Sequence, residues 1–159
     1  MKKIPYIADF DKWLQEFEFY YPIKVRFSET DMFGHVNNTV PFVYFEMARI
    51  EYFKSLGFMQ DWSHPKSETI PVVADLQCDF LAQMFFDEEI RVYVKANRIG
   101  TSSVDLHYLG KKRDGSICFT GRGTMVHFNR KLGKAEAWTQ EMLKSFERVK
   151  NIMENSISK

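Results

Sequence analysis

Reactive side chains are densest in one stretch, Thr30-Asp31-Met32-Phe33-Gly34-His35-Val36-Asn37-Asn38. Asp31 supplies a carboxylate, which acts as a general base or as a nucleophile toward an electrophilic carbon. Just after it, Asn37, Asn38 and Thr39 are good N-cap types and Pro41 suits a first helical turn. The free N–H groups and dipole of a helix start stabilise negative charge developing on an oxygen. A carboxylate placed one loop ahead of such a helix start suits attack on a carbonyl. Residue types alone leave the role open, because an Asp in a Thr-Asp-x-x-Gly loop is more often a turn or cap residue. The same holds for Asn37 and Asn38 as caps, and for His35, since a lone loop histidine is usually an ordinary hydrogen-bonded residue. Glu46 is a rival carboxylate on the following helix. Its i,i+3 spacing to Arg49 predicts a structural ion pair instead.

Several elements must position this stretch. Phe10, Trp13, Leu14 and Phe17 fall at helical spacing, which predicts a short amphipathic helix over 8–18, ended by Pro22. Ile23, Val25 and Phe27 alternate with polar residues, the period of a half-buried strand. A helix follows from about residue 40 to Leu56, with Gly57 as its stop. Its apolar residues cover most of its circumference, so it is expected to be largely buried. Four more strands follow. Three are alternating runs centred on Val72–Phe80, Ile90–Ala96 and Val104–Tyr108, and the fourth spans Ser116–Asn129. Asp114-Gly115 marks a hairpin and Gly100 an earlier turn. Gly121 and Gly123 inside the last strand predict bending or a close backbone approach. Thr139 caps a final helix with Trp138 and Leu143 as its staple, and Met142, Phe146, Val149 and Met153 as its apolar stripe. A helix buried all round needs a sheet to wrap it.

The residues Val25 to Asn38, followed by Tyr44-Phe45-Glu46-Met47-Ala48-Arg49, resemble the signature of the 4-hydroxybenzoyl-CoA thioesterase-like family. Arg98-Ile99-Gly100-Thr101-Ser102-Ser103 is similar to the family as well, so the resemblance spans roughly residues 22 to 129. It implies an α+β hotdog fold in which a curved antiparallel sheet of about five strands wraps a long central helix. Extra helices lie at both ends of residues 1–159, read as one domain. It implies hydrolysis of an acyl-CoA thioester, with Asp31 as the catalytic carboxylate and the backbone N–H near Asn38 polarising the carbonyl. His35, Asn37, Arg98, Thr101 and Ser102 become candidate substrate contacts, the last three near the CoA nucleotide and pantetheine arm. CoA is part of the substrate, and no separate cofactor is implied. Such domains pair their sheets edge to edge or back to back, which implies a homodimer or homotetramer with the site at the protomer boundary. One departure is Pro41. The family usually has a Tyr there, lining the site entrance, and the change bears on acyl preference.

Composition narrows the alternatives. The 22 Lys and Arg nearly cancel the 21 Asp and Glu, leaving a net charge of +1 and no electrostatic footprint for nucleic acid. Cys78 and Cys118 stand far apart in strand-like contexts and read as reduced thiols of a cytoplasmic protein. No CxxC or paired-His spacing supports a metal site. No run approaches the ~18 apolar residues of a membrane helix. Two other activities share the expected fold. One is an enoyl-thioester dehydratase or hydratase, which needs a His with a carboxylate, and the predicted 40–57 helix carries no His. The other is a non-catalytic module binding acyl-CoA or acyl carrier protein, which would have no use for the Asp31 carboxylate.

Overall fold

The computed structural model describes residues 3–147. It begins with a short helix, α1 (Phe10–Gln15), followed by strand β1 (Phe19–Lys24) and a 3₁₀ turn at Phe27–Glu29. The long helix α2 (Val40–Ser55) and the single turn α3 (Met59–Trp62) come next. Strands β2 (Thr69–Phe80), β3 (Glu89–Ile99), β4 (Ser103–Lys112), β5 (Ile117–Asn129) and β6 (Lys134–Ala135) complete the sheet. Residues 140–147 are helical (α4). The strand order is β1-β3-β4-β5-β2, with β6 paired to β5, and every pairing is antiparallel.

Alternation within the strands sends one set of side chains to each face of the sheet. Ile90, Val92, Val94, Leu106, Tyr108 and Phe119 share a core with Tyr44, Phe45, Ala48, Tyr52 and Phe53 of α2. Trp138, Met142 and Phe146, at the start of α4, close the same core. On the opposite face, Tyr93, Leu109 and Ile117 pack against Ile4, Ile7, Trp13 and Phe17. The N-terminal segment thus covers the outer face of the sheet, while α2 fills the inner one. At Gly121 the sheet has no room for a side chain. A Cβ there would stand 2.9 Å from the Gln77 carbonyl oxygen and closer still to the Phe45 ring. That glycine lets α2 approach the sheet backbone.

Most predicted elements form, with corrections that have physical causes. Helix α1 stops at Gln15, and the Glu16 N–H bonds the Trp13 carbonyl as its cap. Pro22 therefore ends no helix. It sits in β1, an edge strand, where a missing N–H costs no ladder bond if it faces outward. The first strand lies earlier than its alternation predicts: Val25 is buried just past its end, and Phe27 is 76% exposed on the 3₁₀ turn. Helix α2 is not buried all round. Val43, Glu46 and Lys54 are exposed and Met47 and Ile50 half-buried, which makes an open stripe on the side away from the sheet. Glu46 and Arg49 do not pair, because Arg49 turns into the core and donates to the Tyr108 hydroxyl at 3.3 Å. The expected turns hold at Gly57, with φ +85, and at Gly115, with φ +87. Thr139 Oγ1 accepts the Met142 N–H at 3.1 Å as the cap of α4. Val149 and Met153 lie outside the described residues.

Candidate active site

The loop between the 3₁₀ turn and α2 is closed by its own backbone. Thr30 and Val36 form a bridge, the Asp31 N–H bonds the His35 carbonyl at 2.9 Å, and the Gly34 N–H bonds the Asp31 carbonyl at 3.0 Å. Gly34 takes φ +83, the left-handed region that glycine enters at no steric cost. The loop is also pinned from outside, through the Val36 N–H to the Met84 carbonyl and the Asn37 N–H to the Glu29 carbonyl.

Within this frame the two Asp31 oxygens have different surroundings. Oδ1 accepts the Phe33 N–H at 2.8 Å, which fixes the carboxylate plane. Oδ2 lies 3.6 Å from His35 Nδ1, too far for a hydrogen bond. The side chain is about one-fifth exposed. It opens into a cleft of about 640 Å³ lined by His35, Val36, Asn38, Pro41, Phe80 and Met84, among others.

The amides at the head of α2 are divided in a similar way. The Asn37 N–H bonds the Glu29 carbonyl, the Thr39 N–H bonds Asn37 Oδ1 at 3.1 Å, and the Val40 N–H bonds the Asn37 carbonyl at 3.0 Å. Pro41 has no N–H. The Asn38 N–H has no protein acceptor among the described residues, and Asn38 lines the same cleft as Asp31. Two residues, one with a carboxylate and one with an unbonded backbone amide at a helix start, therefore line one opening. Attack on a carbonyl carbon requires these two groups together.

The structure brings Asp31, His35 and Asn38 to this cleft and sets Asn37 at its back, where its side chain accepts from Thr39. It does not bring Arg98, Thr101 or Ser102 there. Arg98 lines a second cleft of about 300 Å³ with Gly100, Ser103, Asp105, Arg122 and Thr124. The Thr101 and Ser102 carbonyls accept the N–H groups of Trp138 and His127. Through its pairings along β5 and β4, Phe80 of the first cleft is level with Val92 of β3, six residue steps before Arg98, so the two clefts lie roughly 20 Å apart along the strand direction.

Residues 80–84, which form one wall of the first cleft, escaped sequence reasoning. The available signal was the apolar run Phe80-Leu81-Ala82 with Met84-Phe85-Phe86, too greasy for a solvated connection. The remaining histidines are elsewhere. His64 is exposed, and His127 is buried against Trp138. His107 accepts the Trp13 indole N–H at 2.8 Å on the outer face, where burial pushes its pKa down to about 4 while Asp105 pulls the other way. Cys78 and Cys118 are both free, and burial raises both thiols, to about 12 and about 11. Thiols held this high stay protonated near neutral pH, which disfavours a nucleophilic role. Among the described residues no cluster of acidic, His or Cys side chains has metal-binding geometry, and no helix is long and apolar enough to cross a membrane.

Comparison with known proteins places the chain among relatives. A sequence model of the thioesterase-like superfamily matches residues 25–146, a span that contains the whole Asp31 loop and α2. The protein YsmA of Bacillus subtilis strain 168 is 48% identical over 141 residues, covering 87% of this chain and 93% of YsmA. The structure of a predicted thioesterase from Bacillus stearothermophilus is 32% identical with a TM-score of 0.73, over 82% of this chain and 94% of that one. A thioesterase from Thermus thermophilus, complexed with coenzyme A and Zn, is 26% identical with a TM-score of 0.72, over 86% and 97% of the two chains.

Proposed function

Because this chain belongs to the thioesterase-like superfamily and has its hotdog fold, we propose that it hydrolyses an acyl-CoA thioester to the free acid and CoA, with Asp31 as the catalytic carboxylate. The observation that carries this reading is that Asn38, whose N–H at the head of α2 has no protein acceptor among the described residues, lines the same cleft as Asp31. In the proposed reaction a water oxygen attacks the thioester carbonyl carbon, and Asp31 Oδ2, which holds no hydrogen bond, takes the water's proton. The carbonyl oxygen becomes anionic and is held by the Asn38 N–H. Its electron pair then re-forms the carbonyl, the C–S bond breaks, and the CoA sulfur leaves as a thiolate that takes the proton held by Asp31, which returns to its carboxylate form. Attack by Asp31 itself, through a mixed anhydride, uses the same two groups.

The CoA portion of the substrate explains the second cluster. Arg98, Thr101 and Ser102 lie at or just past the far end of β3, and in the proposed homodimer they serve the partner's Asp31 cleft. The outer sheet face is already covered by Ile4, Ile7, Trp13 and Phe17, which closes back-to-back pairing over that area. The exposed outer edge of β2, where residues 72–75 face solvent, remains open for edge-to-edge pairing. The CoA found in the Thermus thermophilus thioesterase supports the choice of carrier.

The test is thiol release from a panel of aliphatic and aryl acyl-CoA esters. Release from at least one ester, lost by 10²-fold or more in Asp31→Asn, is the expected result. No release from any ester ends the enzymatic reading, and an Asp31→Asn variant as fast as wild type ends the site assignment alone.

A further inference from the structure

Glu29 lies inside the signature stretch, two residues before Asp31, and the reaction above gives it no part. It is nonetheless one of the few buried charged residues, 9% exposed. Its Oε1 accepts both the Nε–H and an Nη2–H of Arg26, at 3.1 and 2.9 Å. Its Oε2 accepts the Arg26 backbone N–H at 2.9 Å and the Tyr44 hydroxyl at 2.8 Å. Its carbonyl accepts the Asn37 N–H at 2.9 Å. One residue therefore touches three parts of the site: the entry to the loop at Arg26, the exit at Asn37, and the first turns of α2 at Tyr44. Tyr44 is completely buried. Among the described residues, the Tyr44–Glu29 bond is the one side-chain hydrogen bond between segment 26–36 and α2.

The two reacting groups sit on either side of this joint. Asp31 belongs to the loop, and the free Asn38 N–H is fixed to the head of α2. Their separation depends on how the loop is seated on the helix. The loop's internal bonds, Asp31 to His35 and Gly34 to Asp31, hold its own shape but not its angle to α2. We propose that Glu29 is a positioning residue, which through the Tyr44 hydroxyl holds the Asp31 carboxylate in register with the Asn38 N–H. The proposal rests on the Asp31 reading above.

Electrostatics agrees with a permanently ionised strut. Burial alone would raise the Glu29 pKa, but the Arg26 amide, the Tyr44 hydroxyl and the Arg26 guanidinium outweigh it and hold the carboxyl below the usual range. The same burial and the facing carboxylate push the Tyr44 phenol up, so it stays a donor at every pH the protein meets.

Tyr44→Phe removes one hydroxyl and keeps the ring, so the core packing survives. Displacing a reacting group by about 1 Å costs on the order of 10²-fold in rate. Tyr44→Phe is expected to lower kcat about tenfold or more with KM within about twofold, and Glu29→Gln to lower it further. A merely structural tie lowers the melting temperature and leaves kcat of the folded fraction unchanged. That result, measured well below the melting transition, overturns the proposal. Amide hydrogen exchange supplies a readout independent of turnover. In Tyr44→Phe the Asp31, Gly34 and Val36 amides should exchange about tenfold faster while β4 and β5 amides hold. Unchanged loop exchange also overturns the proposal. Should Asp31→Asn prove fully active, the Asp31 reading falls by that result, and loop exchange then judges the Glu29–Tyr44 tie separately.

Discussion

Replacing Asn38 by proline deletes a single N–H and tests the proposed oxyanion site directly. Ordinarily such a change also breaks a backbone hydrogen bond, but here the Asn38 amide has no protein acceptor to lose among the described residues. Proline is also tolerated at the head of a helix, where a ring-fixed φ suits the turn. The folding cost is therefore small, and the catalytic cost is that of one oxyanion donor, 10²–10³-fold in kcat or roughly 3–4 kcal/mol. Asn38→Ala is the companion. The Asn38 side chain is exposed and makes no hydrogen bond among the described residues, so its loss should change kcat by no more than about threefold. The assay is thiol release from the best acyl-CoA substrate, with circular dichroism confirming that both variants fold. If Asn38→Pro retains wild-type kcat, the free amide is not the oxyanion donor. If Asn38→Ala falls as far as Asn38→Pro, the side chain and not the backbone carries the role.

Glu46→Gln should hydrolyse within about twofold of wild type, because Glu46 is exposed on the open stripe of α2 with no ion pair among the described residues. A loss comparable to that of Asp31→Asn would move the catalytic carboxylate to the helix. His107 has a pKa of about 4 in the folded protein against 6.5 when free, so the unfolded chain binds more protons between those values. The His107 contribution to stability is therefore full above about pH 6.5 and falls toward pH 4 by about 3 kcal/mol, with no further loss from this group below. Urea midpoints across this range should show the slope in wild type and lose it in His107→Gln. Gly121→Ala should destabilise by about 1–3 kcal/mol, read as a lower melting temperature, since its Cβ meets the Gln77 carbonyl oxygen and the Phe45 ring.

Local signals were strong where chemistry is local. The caps and turns at Thr139, Gly57 and Gly115 depend on a few adjacent residues, and each is read from types that admit few alternatives. The Asp31 loop is legible for the same reason, because Gly34 and the Asn-Asn pair mark a turn feeding a helix. The 80–84 wall was not legible. Its side chains line the cleft only because β2 ends beside α2, a fact of long-range pairing between β2 and β5. The Glu46–Arg49 spacing misled because i,i+3 geometry states what a helix permits and not which way a long side chain turns. Tyr108 offers Arg49 a buried oxygen from a strand some 60 residues away, and the core contact won.

The periodicity of α2 misled for a related reason. Apolar residues over most of a helix, with Glu46, Arg49, Glu51 and Lys54 as a narrower polar strip, predict a largely buried helix, yet the open side is wider than that strip. Val43, Met47 and Ile50 remain on an open stripe beside Glu46. The pattern is consistent with the chain if the unit that buries α2 is larger than one copy. The site points the same way. Asp31 and Asn38 line one cleft within the chain, but Arg98 lines another, roughly 20 Å away along the strand direction. In the proposed homodimer a second protomer supplies the second group. In that arrangement hydrolysis is built from one loop and one helix start, while recognition of the CoA arm is divided between chains. A dilution series therefore separates the two functions: kcat per protomer holds in the dimer, and KM for acyl-CoA rises as the dimer dissociates. A KM independent of protein concentration through a measured dimer-to-monomer transition would show that one chain recognises the whole substrate.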